Sequence, residues 1–124
     1  MRMICFFLGI NGANRQRFET FQELLQIKKE RLQERKFILS VFGGETVIVM
    51  SLAYRHSDLY YAAQGLLGAF SPKDVRGGGS WEITGQGNNM VRFFSQSTDF
   101  GPFDRDLMKV DELSRLLGMR VEIQ

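Results

Sequence analysis

The sequence predicts a single α/β domain: a mixed β-sheet with helices packed on its faces. Three observations lead there. A chain of 124 residues is the length of one domain. A hydrophobic share of 44% with eleven Phe supplies a core, and this composition excludes disorder, coiled coil and collagen-like repeats. The spacing of apolar residues also switches between strand-like and helix-like periods along the chain.

The elements follow in order. The apolar run Met3 to Ile10 is far too short to span a bilayer, and its flanks (Arg2 before, Gly12-Ala13 after) suit a secretory leader poorly. It reads as a buried edge strand of a cytoplasmic protein with no membrane partner. Asn11 to Asn14 form a turn and offer an N-cap. Phe18, Phe21, Leu24, Leu25 and Leu32 then recur at helical spacing to about Arg35. The opposite face of that helix would carry Arg15, Arg17, Lys28, Lys29, Arg31 and Arg35. Glu19, Glu23, Glu30 and Glu34 interleave, so a solvated, salt-bridged face competes with a basic surface for acidic partners.

Lys36 to Phe42 and Glu45 to Tyr54 are rich in Val, Ile, Phe and Leu and are separated by Gly43-Gly44, which predicts a hairpin. Both faces of these strands are apolar, so they belong at the centre of a sheet covered on two sides. Helical spacing returns from Ser57 to about Phe70, ended by Pro72. Trp81 to Thr84 and Met90 to Ser95 form a second antiparallel pair. A helix over Val110 to Leu117 ends at Gly118 in a left-handed cap, and Arg120 to Ile123 is a final strand.

The smallest counts restrict the chemistry most. One Cys, Cys5, cannot form an internal disulfide, and with one His, His56, it cannot build a closed zinc site; a carboxylate-only Mg²⁺ site stays formally open. No metal or other cofactor is expected. The net charge of +2 is too small to imply nucleic acid. Gly79 and Gly85 have the spacing of a phosphate loop, but Gln86 stands where Lys is required. Cys5 sits in an apolar run that disfavours a thiolate. Asp104 and Asp106 look like ordinary turn residues.

What remains is Tyr54-Arg55-His56-Ser57-Asp58-Leu59-Tyr60, where a hydrophobic strand ends and a helix begins. An imidazole at a helix N-terminus is kept neutral by the amide dipoles and can accept a proton, while the same amides attract an anion. That suits attack of water on a phosphoryl group. The alternative is that His56 merely caps the helix or satisfies a local hydrogen bond. Gly77-Gly78-Gly79 lets a backbone pass close to a strand or a ligand. Ser95-Gln96-Ser97-Thr98-Asp99-Phe100-Gly101-Pro102 leaves a strand, and consecutive amides there are either a phosphate cradle or a plain polar turn.

Taken together, His56-Ser57-Asp58-Leu59-Tyr60, Gly77-Gly78-Gly79 and the strand running through Ser95 into Phe100-Gly101-Pro102 resemble the janus/ocnus family of phosphohistidine phosphatases. Lys36-Phe37-Ile38-Leu39 is similar to that family's first strand. The resemblance covers roughly residues 36 to 123, so residues 36–124 are expected to be a janus/ocnus-like α/β domain with that family's fold. Residues 1–35 are then a strand and helix extension of the same domain, offering a homodimer contact.

The resemblance implies His56 as general base on the attacking water, Lys36 as a holder of the phosphoryl group, and amides around Ser95, Gln96, Ser97 and Thr98 as the phosphate loop, supported by Gly77, Gly78 and Gly79. It implies a metal-independent hydrolase acting on a phosphorylated protein or a small phosphoramidate. The segment Ser95 to Gly101 is one residue longer than in the family, and Ser80 stands where the family often has a basic residue. A phosphate- or phosphopeptide-binding module without turnover is therefore a second expectation, and a basic-face interaction protein a third.

Overall fold

A computed structural model describes residues 2–11 and 14–124. Seven strands form one mixed sheet: β1 (Met3–Asn11), β2 (Asn14–Phe18), β3 (Glu34–Phe42), β4 (Glu45–Ala53), β5 (Val75–Thr84), β6 (Met90–Phe94) and β7 (Arg120–Ile123), in the order β2-β1-β4-β3-β5-β6-β7. β1 runs parallel to β4 and β7 parallel to β6; the remaining neighbours are antiparallel. Three helices accompany it: α1 (Phe21–Leu25), α2 (His56–Leu67) and α3 (Val110–Leu117).

The central hairpin lies where its two apolar faces require. Phe37, Leu39, Ile48 and Met50 point into one core with Phe21 and Leu24 of α1 and Leu113 and Leu117 of α3. Ile38, Val47 and Val49 point into the other with Leu59, Tyr60 and Ala63 of α2. Alternation across the strands thus builds two cores from one sheet, and α2 covers the second face together with Phe70 and Phe100. α3 and Gly118, in the left-handed conformation at φ 69°, follow the expectation, as does β7.

The N-terminal third differs most. β1 is an interior strand, because β2 pairs with it from Phe7–Phe18 to Asn11–Asn14 and takes the edge. Of the expected turn, Gly12 and Ala13 lie outside the described residues. The helix expected up to about Arg35 is replaced by β2, the five-residue α1 and a loop. Its apolar spacing fits a helix, yet Leu32 is 76% exposed at φ 69°, whereas the polar Gln33 is buried. Gln33 Nε2 donates to the Ile10 carbonyl at 2.8 Å, and its Oε1 accepts from the Glu30 amide at 2.9 Å. Pairing with the free edge of β1 satisfies a whole ladder of backbone groups, which an isolated helix face could not do. These cations therefore do not share one helix face: Arg15 and Arg17 lie on an edge strand, Lys28, Lys29 and Arg31 on the loop, and Arg35 on β3.

Two smaller boundaries move. α2 starts at His56 and ends at Leu67, capped by Gly68 rather than by Pro72, which instead opens a short 3₁₀ turn. β5 begins at Val75, so the three glycines are inside a strand. Among the described residues no helix is long and apolar enough to cross a membrane.

Candidate functional site

The site sits at one end of the α2 face, where β4 ends and α2 begins. Arg55 is the N-cap residue and its side chain accepts nothing; instead Asp58 Oδ2 reaches back to the Arg55 amide at 3.0 Å. That closes the first turn and sets His56 as the first helical residue, 5% exposed.

The imidazole is pinned. His56 Nε2 lies 2.7 Å from the Gly79 carbonyl of β5. A carbonyl only accepts, so Nε2 carries the proton and Nδ1 is left as the basic nitrogen. Burial holds the imidazole below the usual histidine pKa; the Gly79 hydrogen bond pushes it back up, the Lys36 ammonium lowers it, and Asp99 and Glu34 raise it. The sequence expectation of a neutral ring holds in direction, with burial rather than the helix dipole as the main cause. Lys36 itself is largely covered on β3, its Nζ 3.5 Å from Glu34 Oε2, and it pairs in register with Ser80 of β5.

The glycines make room for this packing. A Cβ on Gly78 would stand 2.6 Å from the Phe37 carbonyl oxygen, 3.1 Å from His56 Cδ2 and 3.3 Å from Ser97 Cβ. The His56 ring and the Ser97 side chain therefore meet over a bare backbone. Gly77, at φ 96°, would drive a Cβ to within 2.0 Å of the Pro102 carbonyl oxygen, so the chain at 101–103 lies directly on β5.

The loop leaving β6 begins with Ser95 at φ 66°, a left-handed conformation that costs a non-glycine residue about 1–2 kcal/mol. Ser97 is buried and organises the turn. Its amide donates to the Gly101 carbonyl at 3.1 Å, its carbonyl accepts from the Gly101 amide at 2.8 Å, and its Oγ accepts from the Asp99 and Phe100 amides at 3.2 and 3.0 Å. The Gly78 amide donates to the Gly101 carbonyl at 3.2 Å and fastens the turn to β5. The Ser97 amide is thus engaged inside the loop, while the Gln96 and Thr98 amides make no hydrogen bond among the described residues.

Sequence reasoning placed His56, Lys36, Gly77–79 and the 95–98 loop, and the fold brings these to one place. It did not single out Asp99. Asp99 Oδ2 accepts from the Ser57 amide at 3.1 Å, so the amide of the second residue of α2 is already capped by a carboxylate of the protein itself. One signal was present: with Arg at the N-cap, the orphaned amides of the first turn must find acceptors elsewhere in the chain.

A cavity of about 260 Å³ is lined by Lys29, Glu34, Arg35, Ser80, Trp81, Glu82 and Phe94, and one of about 310 Å³ lies between β1, β2 and the loop after α1; neither is lined by Lys36, His56 or the 95–98 loop. Burial pushes the Cys5 thiol up to about 12, so it is inert as a nucleophile. Among the described residues no group of His, Cys, Asp and Glu side chains gathers to hold a metal.

Fold and site together define a small α/β domain with a seven-stranded mixed sheet and one buried, neutral histidine at a strand-to-helix junction. No model of a known protein family matches the chain, and no curated protein matches it.

Proposed function

We propose that the protein is a phosphatase of the metal-independent janus/ocnus kind, hydrolysing phosphohistidine or a related phosphoramidate on a protein or small molecule. The observation that carries this reading is the pinned tautomer of His56: Nε2 is committed to Gly79, and burial keeps Nδ1 unprotonated. Nδ1 takes a proton from water as its oxygen attacks phosphorus. The P–N bond breaks, the departing nitrogen takes a proton from solvent, Nδ1 returns its own proton to solvent, and inorganic phosphate leaves. Lys36 balances charge on the phosphoryl oxygens, with the Gln96 and Thr98 amides as donors to them. Such positioning and electrostatics are what phosphoryl transfer demands.

The test is hydrolysis of a phosphohistidine peptide by wild type, His56→Ala and Lys36→Ala. His56→Ala should lose at least about a hundredfold in kcat and Lys36→Ala about tenfold or more in kcat/KM. Equal rates for wild type and His56→Ala sink the mechanism. A second reading, phosphopeptide binding without turnover, rests on Lys36 pairing in register with Ser80, which offers a hydroxyl and no second cation beside it. Saturable binding of the peptide by calorimetry with no phosphate released would select it.

A further inference from the structure

We propose that the free edge of β2 is a docking surface for an acidic, extended segment of another protein, which adds to the sheet as a further strand and sets its carboxylates against Arg15 and Arg17. The inference is independent of His56 and of the phosphoryl chemistry proposed for it.

The five residues of β2 (Asn14–Phe18) pair with β1 on one side only, and β2 is the last strand of the sheet in that direction. Half of its backbone amides and carbonyls therefore face outward, with no strand to take them among the described residues. Arg15, Gln16 and Arg17 are exposed, so the edge is open to solvent.

Arg15 and Arg17 alternate with Gln16 and lie opposite Ile10 and Leu8, which puts both on the α2 face. There each guanidinium is held by something other than a carboxylate. Arg17 stacks 4.5 Å from the centroid of the Phe6 ring, and Arg15 Nη1 donates to the Tyr61 carbonyl at 3.4 Å. Neither makes an ion pair among the described residues. Glu19, the nearest acid in sequence, lines a cavity with Phe7 and Glu112 on the other face, and Asp58 of α2 is turned to the Arg55 amide. Two oriented cations at the two-residue spacing of a strand thus stand uncompensated beside an unpaired edge.

These two features together select the partner. The edge offers donors and acceptors in alternation, which a peptide backbone matches and a phosphate chain, rich in acceptors alone, does not. A second copy pairing β2 with β2 would bring arginines opposite or diagonal to arginines, a destabilising arrangement. A segment with Glu or Asp at every second residue presents its charges on the one face where Arg15 and Arg17 stand.

The probe is a fluorescein-labelled peptide alternating Glu with Val, followed by anisotropy and by the ¹⁵N resonances of the protein. Its controls are the same peptide with Lys for Glu, the Glu peptide N-methylated at its central amides, and a single-stranded RNA. The Glu peptide should bind wild type, move the amide resonances of residues 15–18, and weaken severalfold between ~0.05 and ~0.3 M salt. Arg15→Ala/Arg17→Ala should bind it about fivefold more weakly, and Arg15→Lys/Arg17→Lys within about twofold of wild type. N-methylation should cost at least about tenfold. The peptide controls use wild type alone, so loss of the Arg17–Phe6 stack in the Ala pair cannot mask the result. Equal binding of the Glu and Lys peptides, undiminished binding after N-methylation, or tighter binding of the RNA would each overturn the proposal. So would a wild-type dimer paired through β2 in place of the peptide, or no binding at millimolar peptide.

Discussion

His56 owes its neutrality to where the chain folds, not to an acidic or basic partner beside it in sequence. Burial lowers its pKa and the Gly79 carbonyl opposes that, while Lys36 lowers it further and Asp99 and Glu34 raise it, each by less. Removing the ammonium with Lys36→Met should therefore raise the His56 pKa, read from its ring resonances across a pH titration; an unchanged or lower value would contradict the arrangement. The depressed pKa also has a stability consequence. The unfolded chain binds the imidazole proton more readily than the fold does, so this contribution is complete above the ordinary histidine value near 6.5. It is lost as pH falls from there toward the lowered folded value. Substituting His56→Gln should flatten that part of the stability–pH curve. At this scale the sequence was informative about identity, since one histidine beside a helix start could be read directly. It was silent about Asp99, because its hydrogen bond to Ser57 spans 42 residues of sequence separation.

At the scale of elements, β5 carries the site and its glycines are structural conditions for it. A methyl on Gly78 meets a backbone carbonyl that cannot rotate away, and then the two side chains that build the site. Gly78→Ala should cost about 1–3 kcal/mol in the thermal melt. It should also lower kcat by more than that loss of stability explains, because His56 is displaced from Gly79; a variant with full kcat would show that the ring does not need this seat. The hairpin of β3 and β4, α3 with its glycine cap, and the β5–β6 pair were legible because each is built from neighbours in sequence. The segment after Asn14 was not. Phe18, Phe21, Leu24 and Leu25 fit a helical repeat, but Phe18 pairs across from Phe7 in a ladder whose other strand is fixed by β4. Local periodicity carries no information about an edge that needs covering, and here tertiary pairing prevails over it.

For the whole molecule, β1 and β2 are as much a part of the sheet as the five strands that follow them. β1 lies between β2 and β4, and its side chains alternate between the two cores, Met3 and Phe7 into one, Phe6 and Leu8 into the other. Phe21 and Leu24 of α1 close the first core against Trp81, with the Phe21 and Trp81 rings 5.5 Å apart. A fragment beginning at Glu34 would leave the long edge of β4 unpaired along Thr46 to Leu52. It would also lose these six buried apolar side chains, each worth about 1.5–3 kcal/mol, or roughly 9–18 kcal/mol together. That is as large as the ~5–15 kcal/mol net stability of an ordinary domain. The fragment should therefore show no cooperative melt by circular dichroism and should aggregate through the bared strand, even though it retains His56, Lys36 and the whole 95–101 loop. A cooperative transition with phosphate binding intact would mean that the site stands on residues 34–124 alone. The expected failure would show instead that the histidine's seat depends on a strand outside residues 34–124: β1 holds β4, β4 delivers the chain into α2, and α2 carries His56 to Gly79.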